Sequence, residues 1–107
     1  MKTNSLGADS VDLAKGADSS SLLTRDQGKA LRTLVLGRLQ TSETVTLDLS
    51  GALALSPSFA DELFAGLEKE LGTRFTERIR ISGARPEWQR LISSALQHRR
   101  ASAAARP

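Results

Sequence analysis

No cysteine occurs among the 107 residues, which excludes disulfides, thiol nucleophiles and cysteine-ligated zinc or iron–sulfur centres together. Histidine is nearly missing too: His98 alone represents it, leaving little for any other transition-metal site. Tyrosine is absent and aromatics make up 4% of the chain, too few for the interleaved stacking platform of a single-strand nucleic-acid binder. A glycine-rich phosphate loop is also missing, since Gly51 stands alone and Gly83 is followed by Ala84, Arg85 and Pro86. No run approaches the roughly 18 apolar residues of a membrane helix, and residues 1–10 hold one lysine with no apolar stretch behind it. Neither a membrane span nor a signal peptide is therefore expected. A cytoplasmic protein is the expectation, and the alanine- and arginine-rich bias suggests a bacterial one.

What is present has an ordinary globular balance. Hydrophobic residues at 39% and charged residues at 25% sit near the average for folded domains, and a chain of this length buries roughly two thirds of its unfolded surface on folding. One core is expected over residues 10–98, between a flexible N-terminus at 1–9 and a flexible basic tail at 99–107. The isoelectric point of about 10.0 overstates the charge, because the formal excess is only +3. That charge is unevenly spread. From Arg74 onward eight arginines stand against Glu77 and Glu87, whereas residues 1–73 carry seven basic and ten acidic groups. Such polarity suits an anionic partner, nucleic acid or an acidic protein face, with Arg78, Arg80, Arg85 and Arg90 as candidate anion contacts.

Periodicity divides the chain into alternating elements. Ser10 to Ala14 alternates weakly and reads as a short edge strand. Thr24 with Gln27 three positions later is a capping box, opening a helix whose apolar stripe is Leu31, Leu34, Val35 and Leu39, with Arg25, Lys29 and Arg32 mostly on the wet side. Thr44 to Leu49 alternates Val45, Leu47 and Leu49 with Thr46 and Asp48, a central strand closed by Ser50 and Gly51. Ser58, three residues before Asp61, reads as the N-cap of a second helix with the stripe Phe59, Leu63, Phe64, Leu67 and Leu71, ended by Gly72 at a left-handed C-cap. Arg78 to Ser82 reads as a strand stopped by Gly83, and Pro86 opens a last helix on which Trp88, Leu91, Ile92, Ala95 and Leu96 share a face. Strand and helix alternate three times, which predicts an α/β fold: a mostly parallel sheet of three or four strands covered by helices.

No catalytic centre is legible. Asp48, Asp61 and Glu62 are the carboxylates that acid–base or Mg²⁺ chemistry would use, yet each has a structural reading. Asp48 can bond the turn after its strand, Asp61 can complement a helix dipole, and Glu62 can face water. A triad would need His98, on the fraying end of the last helix beside Arg99 and Arg100, a poor position for a base. No enzyme, cofactor or metal is expected.

Two segments carry a family likeness: Leu47-Asp48-Leu49-Ser50-Gly51, and Ser58-Phe59-Ala60-Asp61-Glu62-Leu63-Phe64. Together they resemble the STAS-like domain family of unassigned function, over a stretch from about Thr24 to the last helix. The resemblance implies a switchable protein-binding module, since soluble STAS domains dock onto ATPase-type serine kinases that phosphorylate some of them. In those antagonists the acceptor serine follows an Asp at the start of the helix after the Asp-x-Ser-Gly strand end. An ungapped match puts Ser56 where that Asp belongs and Pro57 where the acceptor belongs, with Ser58 next. Ser58, then Ser56, are thus the candidate phosphoacceptors, and Asp48, Ser50, Gly51, Pro57, Asp61 and Glu62 the candidate partner contacts. The expected partner is a kinase-like ATPase or an anti-sigma-like regulator. Nucleic acid bound by the arginine-rich third is the alternative, and sheet edges allow a homodimer.

Overall fold

A computed structural model describes the backbone of residues 7–104 and the side chains of residues 7–97. Three strands, β1 (Ala8–Asp12), β3 (Thr44–Asp48) and β5 (Ile79–Ser82), form one sheet in the order β1-β3-β5, with both ladders parallel. A second sheet joins β2 (Ser21–Leu22) to β4 (Ala54–Leu55), also parallel. Short α1 (Leu13–Ala17) follows β1, and α2 (Arg25–Arg38) links β2 to β3. After β4, the helices α3 (Pro57–Ala60) and α4 (Gly66–Leu71) are joined without a break by a π turn over Asp61–Ala65. A 3₁₀ turn at Gly72–Arg74 and the one-turn α5 (Phe75–Arg78) lead into β5, and α6 (Pro86–Ala104) closes the domain. The α/β expectation holds.

The strand order advances in one direction, so right-handed crossovers put the connecting helices on one face of the sheet. Register shows what each face carries. Val11, Val45, Leu47 and Ile79 lie on one face and are buried, while the other presents Ser10, Asp12, Thr44, Thr46, Asp48, Arg80 and Ser82, none of them buried. Parallel sheets are usually apolar on both faces. This one alternates because only one face is covered, which is why β3 was visible in the sequence. The covered face meets Leu31 and Val35 of α2, Phe59, Leu63, Phe64 and Leu67 of the π-turned helix, and Trp88 and Ile92 of α6 in one core. Each fully buried leucine or phenylalanine there contributes about 1.5–3 kcal/mol.

Several boundaries differ from expectation for identifiable reasons. The first strand begins at Ala8, because the Glu43 N–H donates to the Gly7 carbonyl at 2.8 Å and extends the ladder upstream. It stops at Asp12, whose carboxylate accepts from the Lys15 N–H and opens α1. Of the expected flexible N-terminus, residues 1–6 lie outside the described residues and Ala8 and Asp9 are strand. The last helix runs to Ala104, through most of the expected tail, and residues 105–107 lie outside the described residues. The 24–27 capping box is present in full, but α2 ends at Arg38, earlier than expected. Arg78 closes α5 and is not strand.

Phe59 and Trp88 are buried, at 0% and 6% exposure. Truncating Phe59 to alanine should cost about 3–5 kcal/mol, read from the denaturant midpoint with an unchanged slope.

Candidate functional site

The loop after β3 is built by short-range bonds. The Ser50 N–H donates to Asp48 Oδ1 at 2.9 Å, and this bond, with the Ser50 and Ser82 hydroxyls, holds the Asp48 carboxyl below the usual aspartate range. Asp48 thus ties the turn as read from the sequence. Gly83 faces the same turn with φ of 73°, and a Cβ there would stand 2.6 Å from the Ser50 nitrogen, so the close approach of the β3 and β5 ends requires glycine. Ser50 and Gly51 are exposed.

The start of the following helix departs from expectation. The N-cap is Ser56: its hydroxyl accepts from the Phe59 N–H at 3.1 Å and donates to the Leu23 carbonyl at 2.6 Å. Pro57 occupies the first helical position, where its missing N–H costs nothing. The reading of Ser58 as N-cap is therefore corrected. Ser58 sits one residue inside the helix, half-buried, and takes no part in the cap. The Ser-Pro dipeptide was the available signal for this boundary.

Ser56 also couples the helix to the β2–β4 sheet, which carries two exposed leucines at its ends. Leu53 is 69% exposed and Leu23 46%. Leu53 leads into β4, its N–H donating to the Ser20 carbonyl at 2.7 Å, and Leu23 directly follows β2. Pro57, which follows Ser56, is exposed as well. Neither leucine was singled out by sequence reasoning, because a two-residue strand has no readable periodicity.

Charges cross from α2 to the π turn. Arg25 Nη1 lies 3.1 Å from Asp61 Oδ2 and 3.4 Å from Glu62 Oε1. Arg32 Nη1 lies 2.9 Å from Glu62 Oε2 and donates to the Glu62 carbonyl at 2.6 Å. Glu62 therefore does not simply face water, and Arg25 and Arg32 are not idle surface groups. The Arg32 guanidinium beside it, more than Arg25, holds the Glu62 carboxyl below the usual glutamate range. Arg25, Pro57, Ser58, Asp61, Leu91 and Ala95 line an open groove of about 420 Å³ between the helix start and α6.

The C-terminal arginines do not act alike. Arg78 donates to three carbonyls, Leu39 at 2.7 Å, Ser42 at 2.9 Å and Glu43 at 3.0 Å, and so closes the chain between α2 and β3. Arg80 folds back onto the Thr76 and Glu77 carbonyls. Arg85 stacks 4.6 Å from the centre of the Trp88 ring. Arg90 is exposed on α6, in a shallow groove with Pro86 and Gln97. Among the described residues no group of three or more acidic or histidine side chains is placed to hold a metal ion. None of their helices is long and apolar enough to cross a membrane.

The family described as STAS-like domain of unknown function (DUF4325) matches residues 27–88, from the first turn of α2 to the first turn of α6. The chain belongs to this family. No curated protein and no solved structure matches it. The STAS-like match takes in both segments that carried the resemblance and is narrower at either end than the stretch from Thr24 through the last helix. It includes the cap at Ser56, the π turn and Arg32, and leaves out Arg25 and Leu23.

The lowered Glu62 carboxyl fixes a pH response for this STAS-like domain. A carboxylate depressed by folding contributes stability above the unfolded value of about 4.3, and that contribution disappears as pH falls through the lower folded value. Replacing Arg32 with glutamine should lower stability at neutral pH and flatten the loss of stability in acid, measured by denaturant titration from neutral pH downward.

Proposed function

We propose that this STAS-like domain is a non-enzymatic regulatory module that binds a protein partner through the loop 52–57 and the start of α3, the partner being an ATPase-type serine kinase or an anti-sigma-like regulator. The observation that carries the reading is the exposure of two leucines near the Ser56–Pro57 helix start: Leu53, three residues before Ser56, and Leu23, whose carbonyl accepts from the Ser56 hydroxyl. Large apolar side chains left in water around a rigid, hydrogen-bonded turn are what a partner's apolar contact needs. Asp61 and Glu62 in the π turn after α3, with Arg25 of α2, supply polar groups nearby.

Ser58 is the better placed acceptor for a regulatory phosphate. Ser56 uses its hydroxyl both to cap the helix and to hold Leu23, so modifying it would undo the junction itself. A phosphate on Ser58 would enter the groove that Arg25 and Asp61 line, drawing the guanidinium and repelling the carboxylate. The surface would change charge without unfolding.

Capture of partners by the tagged chain from its native host, with and without nuclease, tests the reading. A protein recovered after nuclease treatment by the wild type, and lost with Leu53→Asp and weakened with Ser58→Asp while circular dichroism is unchanged, is the expected result. Recovery that nuclease abolishes would overturn it in favour of nucleic-acid binding, which would also weaken steeply with salt.

A further inference from the structure

β5 is an edge strand, and its two sides are unlike. The Ser82 carbonyl accepts from the Leu49 N–H at 2.8 Å, so Ser82 and Arg80 turn their backbone groups inward to β3. Alternation then turns the N–H and C=O of Ile81 outward, while the Ile79 N–H is taken by the Phe75 carbonyl at the end of α5. Ile81 is 37% exposed on the covered side of the sheet. It continues into an open groove of about 310 Å³, whose apolar lining is completed by Ala84, Ile92 and Leu96 of the loop and α6. Free backbone donors and acceptors beside an apolar groove receive an extended segment.

The opposite edge is protected. β1 carries Asp9 and Asp12 within five residues, and Arg38 lies 3.0 Å from the Asp9 carboxylate. Charged groups on a short strand discourage added pairing. With one open edge and one guarded edge, head-to-tail growth has no second surface to use. An open edge that meets its own copy closes as a two-fold dimer.

The sequence of β5 fits that symmetry. We propose that two copies of this chain pair antiparallel through β5, with the two-fold axis between the two Ile81 residues. Ile81, whose backbone groups point outward, then exchanges both of its hydrogen bonds with the second copy's Ile81, and the apolar side chains meet over the paired grooves. Arg80 falls opposite the second copy's Ser82, so the like charges of the strand do not face each other. Ser82 in turn sits beside Asp48 on the open, polar face of the sheet. Two strand spacings amount to about 10 Å, and the small serine between leaves the arginine a path across it to the second copy's Asp48. Charge complementarity of Arg80 with Asp48, once on each side of the axis, selects a second copy over an unrelated strand. Arg80, folded onto the Thr76 and Glu77 carbonyls in one copy, is released toward that carboxylate in the pair.

The absence of cysteine makes the test clean. In a hydrogen-bonded antiparallel pair facing Cα atoms lie about 5.5 Å apart, within disulfide reach. Full-chain Ile81→Cys should form a covalent dimer on mild oxidation, Ser10→Cys on the opposite edge should not, and the wild type should show a dimer mass by light scattering that Arg80→Glu shifts to monomer. A wild type that stays monomeric at every concentration overturns the proposal. So does a dimer indifferent to Arg80→Glu, or equal crosslinking from both edges.

Discussion

A single guanidinium ties α2 to the π-turned helix across the core they share. Arg32 reaches from α2 to the Glu62 carbonyl at 2.6 Å as well as to its carboxylate. Glu62 lies in the π turn, and its carbonyl accepts this donor from outside the helix. The two helices come close enough for this because glycines stand at the contact. A Cβ on Gly66 would be 2.5 Å from Arg32 Nη1, and one on Gly28 would be 2.9 Å from the Glu62 Cβ. Phe59 before the π turn, Leu63 and Phe64 within it and Leu67 after it are all fully buried. With that helix fixed, Ser56 at its start fixes Leu23 and the β2–β4 pair, and the loop between Asp48 and Pro57 is held at both ends.

The sheet explains why the molecule offers surfaces more than a cleft. Open α/β sheets bind small ligands where the strand order reverses, and the order β1-β3-β5 contains no reversal. All connections pass on one side, the other side keeps hydroxyls and carboxylates in water, and the carboxylates of the site are engaged locally. Asp48 holds its turn, and Asp61 and Glu62 hold arginines. Recognition of a second macromolecule is the function we propose for such a distribution.

The parts of this arrangement legible in the sequence were those governed by neighbours in sequence. The capping box at Thr24, the alternation of β3, the proline opening α6 and the apolar stripe of the central helix each follow from residues within a turn of one another. Helix boundaries shifted where two local signals competed: Ser56-Pro57 and Ser58 both offered an N-cap, and the Leu23 carbonyl, 33 positions upstream of Ser56, decided for the first. The network from Arg25 and Arg32 to Asp61 and Glu62 spans 30 or more positions, and the glycines that permit it look like ordinary helix weaknesses until the partner helix is in place. Leu53 and Leu23 were invisible as a surface because their exposure depends on the two-strand sheet, which is too short to leave a pattern. Arg78 illustrates the reverse error: counted with the basic C-terminal third, it is spent on three carbonyls of its own chain.

The central claim is that a partner contacts the loop before α3. A photoreactive amino acid placed at Leu53, and separately at Arg90 on α6, would trap whatever touches each position in living cells. The account predicts one discrete protein adduct from Leu53 and none from Arg90. An adduct from Arg90 alone, or none from either position, would contradict it.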